Sequence, residues 1–111
     1  MTVRELVHSI QVEVRDSDLP PVRASELLLK ATALLGNVGG EIRAADLEYS
    51  KVLLRELETE KRANRARIRS EVSAEYQRKR EARDTHVLLV ELIRSIRQVL
   101  RTQSDEMRLQ K

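Results

Sequence analysis

The chain has 111 residues, enough for one domain, with 35% charged residues, 2% aromatics and a formal net charge of +3. There is no Cys, which excludes a disulfide framework, a thiolate nucleophile and a Cys zinc site. Tyr49 and Tyr76 are the only aromatic residues, so the apolar stock is Leu, Val, Ile and Ala. That stock favours helix packed on helix, with a core that a partner chain helps to finish.

Thr2-Val3-Arg4-Glu5 reads as a capping box, Thr2 at N-cap and Glu5 at N3. Val3, Leu6, Val7, Ile10 and Val14 follow at helical spacing and predict a short amphipathic helix over about 3–15. The alternation Ile10-Gln11-Val12-Glu13-Val14 also suits a strand, the less favoured reading. This N-terminal stretch has no basic segment leading into an unbroken apolar run, so a signal peptide is not expected. No apolar stretch in the chain approaches a membrane span. A cytoplasmic protein without a membrane partner is the corresponding expectation.

Pro20-Pro21 removes two backbone donors and fixes φ, which suits the entry to a second helix carrying Leu27, Leu28, Ala31, Leu34 and Leu35. Gly36-Asn37-Val38-Gly39-Gly40 then has two readings. The favoured one is a helix end and turn, with Gly36 or Asn37 as the left-handed cap, because glycine serves helix interiors poorly. The other is a helix running through, with glycines that permit close backbone contact.

From Glu41 to about Gln110 there is neither Pro nor Gly. One apolar face runs through Ile42, Ala45, Tyr49 and Val52, widened by Leu53, Leu54 and Leu57. Another runs through His86, Leu89, Ile93, Ile96, Leu100 and Met107 with the three-four spacing of a bundle seam. Between them the seam thins to Ile68, Val72 and Ala82, and Asp84-Thr85 offers a cap for a fresh helix near Arg83. A lone helix so long and polar would not hold together in water. It must fold back or pack along a second chain. The fold expected is therefore all-α: a short N-terminal helix and linker over 1–18, then an elongated helical hairpin or coiled-coil-like bundle over 19–111, completed by self-association. Leu89, Ile93, Ile96 and Leu100 are the residues expected to carry that homo-oligomer contact.

Lys61 to Arg83 is the basic segment. On one continuous helix Arg62, Arg65, Arg69, Arg80 and Arg83 share a face with Tyr76, an arrangement that can hold phosphates and stack a base. The plainer reading is a solvated face with pairs such as Arg67–Glu71 and Glu71–Glu75–Lys79. His8 and His86 have no neighbouring ligand set, so no metal is expected. The Glu-x-x-His pair of a di-iron bundle, the phosphate loop, the dinucleotide fingerprint and the nucleophile elbow are all missing. An enzyme, a cofactor and a small-molecule substrate therefore find no support in the sequence.

The succession Glu60-Lys61-Arg62-Ala63-Asn64-Arg65-Ala66-Arg67, Tyr76-Gln77-Arg78-Lys79-Arg80-Glu81-Ala82, Leu92-Ile93-Arg94-Ser95-Ile96 and Glu106-Met107-Arg108 resembles short helical proteins of temperate phages and prophages. Their genes often lie near those of strand-annealing recombinases and single-strand-binding proteins. The resemblance runs from about Leu34 to the C-terminus, leaves out Pro20-Pro21, and carries no assigned site residue. It implies a phage accessory protein in the cytoplasm of an infected or lysogenic bacterium. Three roles follow as expectations. One is binding of DNA, or of a DNA-bound recombination protein, through the basic face. A second is inhibition of a host defence nuclease, and a third is a structural oligomer.

Overall fold

The computed structural model describes residues 2–16 and 18–109, and everything regular in them is α-helix. In chain order the helices are α1 (Val3–Asp16), α2 (Pro21–Thr59), α3 (Ala63–Glu71) and α4 (Ala74–Leu109). The fold is all-α: a short N-terminal helix and a helical hairpin whose long arms are α2 and α4. The chain divides into two compact units, residues 1–37 with 85–111 and residues 38–84.

The first unit is a three-helix arrangement of α1, the first part of α2 and the last part of α4. Helix α1 starts as its sequence suggests: the Glu5 amide donates to Thr2 Oγ1 at 3.1 Å. It buries Val7 and Ile10, three residues apart in one stripe, so the strand reading of 10–14 is not realised. The break before α2 falls at the prolines. Pro21 is the first helical residue, where its missing amide costs nothing, and the Ala24 amide bonds to Pro20 O at 2.9 Å. Leu19, Ala24, Leu27, Ala31, Leu89, Leu92, Ile93 and Ile96 are all buried in this unit. Leu89 and Ile96 are 0% exposed and Leu100 is half-buried. The seam expected to join two copies is thus largely covered within the chain. Glu13 and Arg23 tie α1 to α2 through a two-point pair at 2.5 and 2.8 Å.

Gly36–Gly40 is not a turn. Helix α2 passes through it, and no glycine has a positive φ. Each glycine costs a helix interior about 1 kcal/mol relative to Ala, and the helical stretches on both sides carry the segment. Nor do the glycines admit a close neighbour from the same chain. A Cβ at Gly36 would meet nothing within 4 Å, and at Gly39 or Gly40 only the Arg43 guanidinium, at 3.9 and 3.8 Å.

The second unit contains the reversal that residues 41–110 require. It does not fall at Asp84, where α4 is continuous. The chain turns at Glu60–Arg62 and is interrupted again at Val72–Ser73. Ser73 does the capping expected of Asp84-Thr85. Its hydroxyl accepts from the Tyr76 amide at 3.2 Å and donates to Ser70 O at 2.5 Å. Thr85 is instead buried, 6% exposed.

Candidate functional site

The second unit buries little aliphatic bulk: Val38, Ala45, Tyr49, Ala66, Ser70 and Ala82. Polar contacts supplement that core. Tyr49 of α2 and Ser70 of α3 place their hydroxyl oxygens 3.1 Å apart. The Ser70 hydroxyl gives its single proton to Arg67 O at 2.7 Å, so Tyr49 is the donor in the pair. The Tyr49 and Tyr76 rings stand 5.2 Å apart at 47°, and the Lys79 ammonium lies 4.5 Å from the Tyr49 ring centre. Two ion pairs join α2 to α4: Glu41–Arg78 at 2.7 Å and Asp46–Arg83 at 2.8 Å. The Arg78 guanidinium, hydrogen-bonded to Glu41, holds that carboxyl below the usual carboxylate range.

This arrangement redistributes the arginines. The shared face from Arg62 to Arg83 requires one continuous helix, and the interruption at Val72–Ser73 separates the set in two. Tyr76 is half-buried against Tyr49. Arg83 is engaged with Asp46. Arg69 lies 3.8 Å from Glu60, and Arg67 lies 3.9 Å from Glu71, the one pair of the plain reading that forms. Arg62, Arg65 and Arg80 are exposed, and their guanidinium groups have no carboxylate partner among the described residues.

What the turn and α3 concentrate is the stretch 61–69. It presents Lys61, Arg62, Arg65, Arg67 and Arg69, all exposed, with no carboxylate inside the stretch. Arg62 is the N-cap of α3 and supplies no side-chain cap, so the positive end of the helix dipole adds to the arginines. Sequence reasoning missed the roles of Ser70 and Ser73. Its one available signal was the pattern Ser70-x-x-Ser73-x-Glu75, a plausible cap that Asp84-Thr85 overshadowed.

Elsewhere, the first unit has an open groove of about 470 Å³ lined by Val14, Leu19, Val99, Thr102 and Gln103 among others. The Gln103 amide donates to Leu19 O across it. Asp18 and Glu106 are the titratable residues in its lining. His8 is exposed and His86 half-buried. Among the described residues no group of three or more His, Cys, Asp or Glu could hold a metal ion, and no helix is long and apolar enough to cross a membrane. No family model, no curated protein and no solved structure matches this chain.

Proposed function

We propose that this protein is a non-catalytic nucleic-acid-binding accessory that grips the phosphate backbone through residues 61–69. The observation that carries this reading is the run of five exposed cations at the turn and along α3, with no carboxylate among them. Guanidinium groups suit phosphate because their planar forks donate two hydrogen bonds to paired oxygens. The uncapped start of α3 supplies backbone amides of the same polarity. Tyr76 is occupied by Tyr49, so base stacking contributes little and binding depends weakly on sequence. The expected resemblance to phage proteins near recombination genes suits this role, with a recombinase or a single-strand-binding protein as the proposed neighbour.

Fluorescence anisotropy with single- and double-stranded DNA across a salt series tests the reading. Three arginine–phosphate contacts give a log–log salt slope of about −2 to −3. Reversing Arg62, Arg65 and Arg69 to Glu abolishes binding at moderate salt without changing helix content. Absence of binding at low salt overturns the proposal and leaves the same surface to a protein partner, such as a nuclease whose phosphate site it would occupy.

A further inference from the structure

The unit of residues 1–37 and 85–111 carries a cationic surface of its own, on the last part of α4. Arg94, Arg97 and Arg101 follow one another at three- and four-residue steps, and all three are exposed. Among the described residues none of them has a carboxylate within ion-pair reach. The sequence on both sides keeps it so. There is no Asp or Glu from Leu92 to Gln103 of α4, nor from Leu27 to Asn37 of α2. Glu91, just before the run, lines a different groove with Gln11, Val14 and Arg15 of α1. Asp105 lies one turn beyond Arg101.

Two of these arginines line a groove of about 300 Å³ between α2 and α4, whose other lining residues are Thr32, Leu35, Val90 and Ile93. Ile93 is buried and Leu35 and Val90 are half-buried, so aliphatic side chains make the floor and exposed guanidinium groups make the rim. At 100° per residue Val90, Ile93, Arg94, Arg97 and Arg101 fall within about 100° of arc on α4. The rim therefore continues past the groove to Arg101. The Thr32 hydroxyl donates to Leu28 O at 2.8 Å, which leaves the guanidinium groups as the polar side-chain donors of the lining.

Floor and rim ask for different chemistry in one ligand. A phosphate chain satisfies the rim and brings nothing aliphatic to the floor. A basic or neutral apolar segment fills the floor and leaves the rim unused or opposed. We infer that the groove receives an acidic amphipathic helix of a protein partner. Its aliphatic ridge seats on Leu35, Val90 and Ile93, and its carboxylates meet Arg94, Arg97 and Arg101. Such helices enter grooves through anchors at i, i+3 or i+4, and i+7. Arg97 and Arg101 stand one turn apart, which matches carboxylates one turn apart on the ligand, and each guanidinium can bind a carboxylate at two points. The rim speeds encounter and rejects basic partners, while apolar burial holds the complex. Every residue of this site belongs to one unit, and the inference does not depend on what residues 61–69 bind.

The test is fluorescence anisotropy with a labelled helical peptide that has leucine at i, i+3, i+4 and i+7 and glutamate on both flanks. Two comparison peptides carry lysine in place of every glutamate, or serine in place of every leucine. The acidic peptide should bind saturably, and both comparison peptides at least tenfold more weakly. Arg94→Glu with Arg97→Glu should weaken the acidic peptide at least tenfold with circular dichroism unchanged, since both side chains are exposed. Reversal of Arg62, Arg65 and Arg69 to Glu should leave its affinity unchanged. In that reversed background excess single-stranded DNA should not displace the peptide. Displacement there, or equal binding of the serine peptide, would make the surface a general polyanion site and overturn the proposal. So would absence of binding at millimolar peptide, or an affinity that survives reversal of Arg94 and Arg97.

Discussion

The two units draw on the same two long helices yet are held together differently. In the unit of residues 1–37 and 85–111, large aliphatic side chains from three helices interlock: Val7, Ile10, Leu27, Leu89, Leu92, Ile93 and Ile96. In the unit of residues 38–84 the buried positions of α3 and α4 are alanine and serine, and the largest buried side chain is Tyr49. There, a hydroxyl pair, a ring contact and two ion pairs supplement a thin apolar layer. Hydrophobic burial scales with apolar area, whereas exposed ion pairs contribute little. The aliphatic unit should therefore dominate stability, while the polar unit supplies the charged surface.

The largest expected effect lies in the aliphatic unit. Ile96→Ala, at a side chain 0% exposed, should cost about 2–5 kcal/mol, read as a lowered midpoint in urea with an unchanged slope. A cost under 1 kcal/mol would mean that this seam is not the core and would remove the contrast. Amide hydrogen exchange sharpens the same point: Ala24–Ala31 of α2 should exchange more slowly than Ala45–Val52 of the same helix.

Next in size is Tyr49→Phe in the polar unit. It removes the donor to Ser70 Oγ but leaves the Ser70 bond to Arg67 O, the ring contact with Tyr76 and the Lys79 contact. About 1 kcal/mol should be lost. Ser70→Ala leaves the Tyr49 hydroxyl buried without its acceptor, so its cost should match or exceed that of Tyr49→Phe. The reverse order would show that the hydroxyl pair does little for this unit.

How far the sequence foretold this difference varies with the kind of signal. The apolar seams repeat over several turns, so the aliphatic unit and its helices were legible from spacing, and the Thr2 cap and Pro21 start were legible from local chemistry. The reversal at Glu60–Arg62 was not, because it contains neither Gly nor Pro. It is made by three polar residues, with the Glu60 carboxylate accepting from the Arg62 amide at 3.4 Å. Gly36–Gly40 misled in the opposite sense: local propensity argued for a turn, and helical context on both sides overrode it. For the candidate site, the basic composition of 61–69 was visible. Its division from Arg80 and Arg83 was not, since the helix angle from Arg62 to Arg83 holds only where no break intervenes.

A smaller effect is expected at Gly39, at the start of the polar unit. A Cβ there would meet only the Arg43 guanidinium at ordinary contact distance, and φ is not positive. Gly39→Ala should raise stability by up to about 1 kcal/mol through helix propensity and a less flexible unfolded chain. Loss of stability on thermal melting would mean that the helix is locally bent or open at this point.

The smallest effect separates the units by pH. Hydrogen bonds from Arg23 and Arg78 lower the carboxyl pKa values of Glu13 in the aliphatic unit and Glu41 in the polar unit. A carboxylate whose folded pKa lies below its unfolded value contributes stability above the unfolded pKa, near pH 4.3. That contribution is lost as pH falls through the folded value. The Glu41–Arg78 pair is exposed and the Glu13–Arg23 pair only half-buried, so the loss at each is small. It should nevertheless matter more where fewer apolar contacts remain. On titration from pH 7 to pH 3, the protection factors of Ala45–Val52 should fall before those of Ala24–Ala31. Arg78→Gln should lower protection of Ala45–Val52 already at pH 7 and remove part of its further fall toward pH 3, and Arg23→Gln should leave that fall in place. If both halves of α2 lose protection together, the two units unfold as one cooperative body and the contrast is one of composition alone.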